Sequence, residues 1–165
     1  MQLMSKPYDI AVTFGRFNLF HKGHLDLLRK MDTIANRVAV GMSGTDKNLP
    51  GHRRQEVMKK VAKWSDIDLN IINAGNPFEV FEAVGGINMD NKIVTVFGED
   101  QVALAKAAQK AFGWSYELIP RRTSSTALRG FVDNEEWDLL AEQVPGCVIS
   151  HIIKLRQLEL CPDSN

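Results

Sequence analysis

Apolar and polar positions along this chain change period in blocks. Ile10 to Phe14 form a short, mostly apolar run that stops at Gly15, the signature of a strand buried on both faces. From Lys22 to Met31 the spacing becomes helical, with Leu25 and Leu28 three apart beside Leu27. Arg37 to Met42 is again β-rich and ends at Ser43-Gly44. The alternation predicts a helix over Arg53 to Trp64 carrying Val57, Met58 and Val61, then strands over Leu69 to Asn73 and Ile93 to Phe97. A helix from Asp100 to Phe112, a fifth strand from Tyr116 to Ile119, and short helices over Ser125 to Phe131 and Asn134 to Gln143 complete the reading. Cys147 to Ile153 is open to two assignments, an edge strand or the start of a terminal helix. Trp64, Trp114, Tyr116 and Trp137 read as packing residues.

Strands and helices alternating at this spacing imply parallel βαβ units, hence an α/β fold with a doubly wound, mainly parallel five-stranded sheet covered by helices on both faces. No linker, repeat or low-complexity tract divides the chain, so residues 1–165 are expected to form a single domain. With 165 residues and 44% hydrophobic positions, the core needs no staples. Twenty basic residues balance twenty acidic ones, so no global field recruits nucleic acid or an anionic membrane, and any phosphate ligand must be held locally. The N-terminal residues lack an apolar signal core, and no run approaches the roughly 18 apolar residues of a membrane span. Cys147 and Cys161 show no ligand spacing, which fits a reduced, cytoplasmic protein. Assembly into a homo-oligomer stays open.

In open α/β sheets ligands bind beyond the carboxyl ends of the strands. Polar segments follow four of the five predicted strands: Gly15 to His24, Ser43 to Asn48, Gly98 to Asp100, and Arg121 to Thr126. Within the first, His21 and His24 are three apart at a helix start, so their imidazoles share one face. Unpaired backbone N–H groups and the positive helix end favour a phosphate there, and Gly23 lets backbone come close to it. Standing alone, such a pair is more often a cap and a surface residue; its place after an apolar strand and a glycine loop favours chemistry. Thr123, Ser124, Ser125 and Thr126 bring four hydroxyls to another helix start, with Arg129 about one turn on. Such a group can cradle β- and γ-phosphates while the guanidinium meets departing pyrophosphate.

Phe14-Gly15-Arg16-Phe17-Asn18-Leu19-Phe20-His21-Lys22-Gly23-His24 resembles the first signature of the HxGH nucleotidyltransferase superfamily, and its arginine-phenylalanine form is most similar to archaeal-type nicotinamide-mononucleotide adenylyltransferases. Ser124, Ser125, Thr126 and Arg129 stand in register with that superfamily's closing ISSTxxR signature; Thr123 replaces the usual isoleucine and Leu19 the usual proline. The resemblance implies a Rossmann-like sheet, with His21, His24 and Arg129 catalytic. It further implies a nucleotide-binding set of Phe14, Gly15, Arg16, Phe17, Gly23, Gly98, Asp100, Thr123, Ser124, Ser125 and Thr126. Gly98-Glu99-Asp100 resembles the family's Gly-x-Asp turn, although Asp100 capping the next helix explains it equally well. Lys47, Arg53 and Arg54 are weaker expectations as phosphate or acceptor contacts, since the family places basic residues there. The protein supplies no metal ligands in this reading; Mg²⁺ comes with the nucleoside triphosphate.

The expected activity is transfer of a nucleoside monophosphate, AMP from ATP, onto a phosphorylated small molecule such as nicotinamide mononucleotide. A cytidylyltransferase acting on a phosphorylated alcohol or sugar, and a nucleotide-binding regulator without turnover, are the alternatives. The acceptor pocket falls on loops such as Asn73 to Pro77 and Gly85 to Asn91, which carry no readable chemistry.

Overall fold

The computed structural model describes residues 6–17, 20–43, 51–87, 90–120, 125–144, 146 and 148–150; for residues 51–53, 86, 87, 125, 126 and 129 it describes the backbone alone. Five parallel strands form the sheet: β1 (Tyr8–Gly15), β2 (Ala35–Met42), β3 (Leu69–Asn73), β4 (Ile93–Gly98) and β5 (Ser115–Ile119). Among the described residues these helices join or follow them: α1 (Lys22–Ile34), α2 (Gly51–Trp64), α3 (Pro77–Ile87), α4 (Val102–Phe112), α5 (Ser125–Asp133) and α6 (Trp137–Ala141). The strand order is β3-β2-β1-β4-β5, so the chain winds outward from β1 one way and then returns to the other side of it at β4. That reversal lies between β1 and β4, where doubly wound sheets open a ligand crevice.

The period-2 alternation within the strands divides the core in two. Ala11, Val38, Val40, Val94 and Val96 face one side, packed by Leu27, Leu28 and Met31 of α1, Val57, Met58 and Val61 of α2, and Leu128 and Leu140 of α5 and α6. Ile10, Val12, Ala39, Ile93 and Phe97 face the other, covered by Val80, Phe81 and Val84 of α3 and by Ala105 and Ala108 of α4. Gly41 is where α3 comes nearest the sheet: a Cβ there would lie 2.3 Å from Val80 Cγ2.

The bounds of β3 match the apolar pattern, and β1 and β2 begin two residues earlier than it predicts. Backbone pairing outlasts the apolar run, because Tyr8 pairs with Ala35 and Asp9 N–H donates to Lys92 O at 2.8 Å. The helix α3 is a correction, because Gly85, expected in a loop, lies inside it. Pro77 at its first position lacks only an N–H that the helix start would leave unpaired, and Gly85 makes room for Trp114, whose Cζ2 would lie 3.0 Å from an added Cβ. The helix expected from Asp100 is divided into a 3₁₀ turn over Glu99–Gln101 and then α4. Asn134 and Glu135 belong to a turn, with Glu135 at φ 56°, and α6 begins only at Trp137. Residues 148–150 are helical, which decides between the two assignments open for that segment as far as residue 150; the rest lies outside the described residues. Trp114 stacks on Phe112 at 4.6 Å, and Tyr116 and Trp137 pack against the two cores. Trp64 does not pack as expected; at the end of α2 it is 68% exposed. Among the described residues no helix is long and apolar enough to cross a membrane.

Candidate active site

His21 is the N-cap of α1, in extended backbone (φ −142°, ψ 179°). Gly23 N–H donates to His21 Nδ1 at 3.0 Å, and His21 N–H donates to His24 Nδ1 at 3.2 Å. The spacing of three is thus a capping box built from two imidazoles rather than a hydroxyl and a carboxylate. The rings stack with centroids 3.8 Å apart and planes 20° apart. Because each Nδ1 accepts a hydrogen bond, each neutral ring carries its proton on Nε2, giving two N–H donors on one helix start. The first turn of α1 holds no acidic residue, so its own sequence leaves the positive helix end uncompensated, as an anion requires.

Phenylalanines pack against the His24 ring. Phe17 is buried and meets His24 edge-on at 4.8 Å, while Phe20, buried as well, tilts against it at 5.5 Å. Phe17 adopts φ 52°, the left-handed region that non-glycine residues rarely occupy. Its ring folds back over Gly15, where an added Cβ would lie 3.3 Å from Phe17 Cε2. Phe17, expected at the nucleotide, therefore touches His24 and the end of β1. Phe20 went unnoticed in the sequence, although its place directly before the histidine was the available signal.

Extending the β1–β4 register from Val12 and Thr95 brings Gly15 level with Gly98, so the histidine loop and the Gly98-Glu99-Asp100 turn flank the sheet's reversal. Asp100 is exposed in the 3₁₀ turn; Gln101 occupies the N-cap position of α4. A Cβ on Gly98 would lie 2.8 Å from Asp100 Oδ1, so any other residue there would require the Asp100 carboxylate to shift. The side chain of Arg16 is exposed, and Phe14 and Gly23 are half-buried. The helix α5 starts at Ser125 after β5, on the face that carries α1, since Leu128 and Val132 bury in the cluster of Leu27 and Leu28. Its backbone begins where the hydroxyl cradle was expected. Thr123, Ser124 and Lys47 lie outside the described residues, as do the side chains of Ser125, Thr126, Arg129 and Arg53.

Arg54 is 1% exposed. Its Nη1 donates to Arg16 O and, at 3.0 Å, to Ser43 O. The sequence carried a signal for this burial: Arg54 is three, four and seven residues from Val57, Met58 and Val61, on the apolar stripe of α2. Beside these loops a cavity of about 380 Å³ opens at the ends of β2 and β3, lined by Met42, Ser43, Gln55, Asn73, Gly75 and Glu79. Ser43 joins it to the histidine loop through its N–H, which donates to Gly15 O at 3.2 Å. Among the described residues no group of three or more His, Cys, Asp or Glu side chains could hold a metal ion.

The profile of the cytidylyltransferase-like family matches residues 12–150. Among solved structures, the nicotinic acid mononucleotide adenylyltransferase of Plasmodium falciparum, complexed with NaAD, superposes with a TM-score of 0.65 at 15% identity, over 90% of this chain and 96% of that one. A bifunctional NMN adenylyltransferase/ADP ribose pyrophosphatase from Francisella tularensis, complexed with AMP and a manganese ion, gives a TM-score of 0.65 at 20% identity. That match covers 77% of this chain and 42% of the Francisella chain, so the present chain spans less than half of its length. At such identities the likeness is one of fold. No curated protein sequence matches the chain significantly.

Proposed function

The chain belongs to the cytidylyltransferase-like family of HxGH nucleotidyltransferases, and from that premise we propose that it transfers AMP from ATP to a phosphorylated acceptor such as nicotinamide mononucleotide. The observation that carries the proposal is the imidazole capping box of His21 and His24 at a helix start beside the sheet's reversal. In the reaction an acceptor phosphate oxygen attacks the α-phosphorus of ATP, and the bond from that phosphorus to the bridging oxygen of the β-phosphate breaks. Pyrophosphate leaves with that oxygen and its electron pair. Charge grows on the α-phosphoryl oxygens, where the Nε2–H groups of His21 and His24 and the N–H groups of the first turn of α1 stabilise it. Thr123, Ser124, Ser125 and Thr126 hold the β- and γ-phosphates, and Arg129 follows the leaving pyrophosphate. Lys47 and Arg53 approach the triphosphate or the acceptor from the loop after β2. The cavity at the ends of β2 and β3 seats the acceptor.

The donors assigned to this rim are imidazole, hydroxyl and guanidinium groups, which suit phosphate oxygens better than Mg²⁺, a cation that prefers carboxylate, carbonyl and water oxygens. Magnesium therefore arrives on the triphosphate, where it neutralises phosphate charge.

Pyrophosphate release, followed with Mg²⁺, each nucleoside triphosphate and a panel of phosphorylated acceptors, tests the proposal. The expected result is turnover with ATP and a pyridine mononucleotide. Turnover with CTP and a phosphorylated alcohol or sugar would replace it with the cytidylyl reading. Silence across the panel with tight nucleotide binding would replace it with a binding module. Arg129→Ala should raise KM for ATP, whereas an unchanged KM and kcat would remove Arg129 from the assigned machinery.

A further inference from the structure

We infer that Arg54 is a positioning residue for the histidine pair, acting through the Arg16 carbonyl and the Phe17 ring. The inference rests on the reading above for its catalytic consequence but not for its structural one. A guanidinium is among the most costly groups to bury unless its donors are matched. Arg54 nevertheless occupies the buried stripe of α2 with Val57, Met58 and Val61, where a leucine or methionine would pack at no electrostatic cost. What an aliphatic side chain could not do there is join two backbone carbonyls. Nη1 donates to Arg16 O, 38 residues away in sequence, and to Ser43 O, 11 residues away. Those carbonyls belong to the peptides leaving β1 and β2, so one head group ties together the exits of two neighbouring strands.

The tie to Arg16 has a specific target. The Arg16 carbonyl belongs to the peptide that enters Phe17, and rotation of that peptide changes the φ of Phe17. Phe17 holds φ 52°, and such a non-glycine conformation persists only where surrounding contacts over-determine it. Arg54 is one such contact and Gly15 another, since its missing side chain leaves the space over which the Phe17 ring folds. From there the ring meets His24 edge-on at 4.8 Å. A continuous set of contacts thus runs from a buried cation on α2, through one peptide and one aromatic ring, to an imidazole on α1.

The test uses Arg54→Met and Arg54→Lys in the full chain, with folding checked by circular dichroism and melting. In the free protein, the His24 ring-proton resonance should shift in Arg54→Met, because the Phe17 ring current it feels changes, and shift less in Arg54→Lys. Gly15→Ala, which displaces the Phe17 ring while Arg54 stays in place, should move the same resonance; this arm stands if neither Arg54 variant folds. With the acceptor that supports turnover, Arg54→Met should lower kcat about tenfold or more while KM for ATP changes by less than about twofold, as misplacement of a reacting group does. Combined with Phe17→Leu, the loss should be well short of the product of the single losses, because both substitutions break one path. An unmoved His24 resonance in these variants, or losses that multiply, would overturn the inference, as would a raised KM at constant kcat, which would make Arg54 a phosphate contact. If no acceptor is turned over, the resonance arms decide the positioning claim separately from the functional one.

Discussion

At the start of α1 the cap is His21 and the third helical residue is His24; at the start of α3 the same places hold Asn76 and Glu79. Both helices close their first turn reciprocally. In α3, Glu79 N–H donates to Asn76 Oδ1 at 3.1 Å, while Glu79 accepts from Gly75 N–H at 2.9 Å and from Asn76 Nδ2 at 3.3 Å. The same two positions close each turn, although through neighbouring backbone N–H groups, and the charge they carry differs. Glu79 puts a carboxylate on the positive end of α3, which satisfies that end with the protein's own acid. In α1 the equivalent atoms are imidazole nitrogens, which close the turn and leave the positive end without an acid of its own. A helix start capped from within serves stability, whereas one capped by a neutral donor-bearing ring also offers a place for phosphate. The two surroundings agree with this division, for His21 is buried against the His24 ring and Glu79 is exposed at a cavity rim.

The most forceful way to break the comparison is His24→Glu, which gives α1 the acid that α3 has. The helix start should melt no earlier than in the parent, while pyrophosphate release falls about a hundredfold or more, since a carboxylate repels the phosphate it replaces a donor for. Turnover at the parent rate would show that the imidazole only caps. His21→Asn keeps a good capping residue, and its expected signature is a melting temperature near the parent's with kcat at least about tenfold lower. A kcat loss no larger than the loss of folded protein would assign His21 to stability alone. On the α3 side the effects should appear chiefly in melting, joined for Glu79, which lines the cavity assigned to the acceptor, by a change in KM for the acceptor. Gly41→Ala drives a methyl into Val80 and Phe14 and should cost about 1–3 kcal/mol; an unchanged denaturation midpoint would contradict the close seating of α3. Glu79→Ala removes one side of the α3 cap and should cost about 1 kcal/mol, or about 2–4 °C in Tm for a chain of this size. No change in Tm would mean that solvent replaces the carboxylate without loss.

Much of the fold was legible because its signals are local. Short apolar or β-rich runs marked all five strands, and the bounds of β3 needed no adjustment. The helix α3 was missed although Asn76-Pro77-Phe78-Glu79 before Val80, Phe81 and Val84 is a complete helix-start signal. Pro77 and Gly85 read instead as loop residues, and the nearness of Trp114 explains a glycine at position 85 inside a helix. Trp64 shows the opposite error: expected to pack, it stands 68% exposed at the end of α2. In the candidate site, His21, His24 and Gly98 could be picked out from their place after strands. The burial of Arg54 was not picked out, although its place on the apolar stripe of α2 was a signal, nor was the left-handed turn at Phe17, since the carbonyl that Arg54 meets there is 38 residues away in sequence.

The sequence by itself determined the alternation of strand and helix, the apolar faces, and the residue types that follow each strand, because period and capping are set by neighbours within a turn or two. Tertiary structure alone decided that the sheet reverses between β1 and β4, that a cavity opens beyond β2 and β3, and that Arg54 joins carbonyls 38 and 11 residues away. Such choices depend on which of many distant partners the whole core brings within hydrogen-bonding reach, and no local pattern encodes that sum.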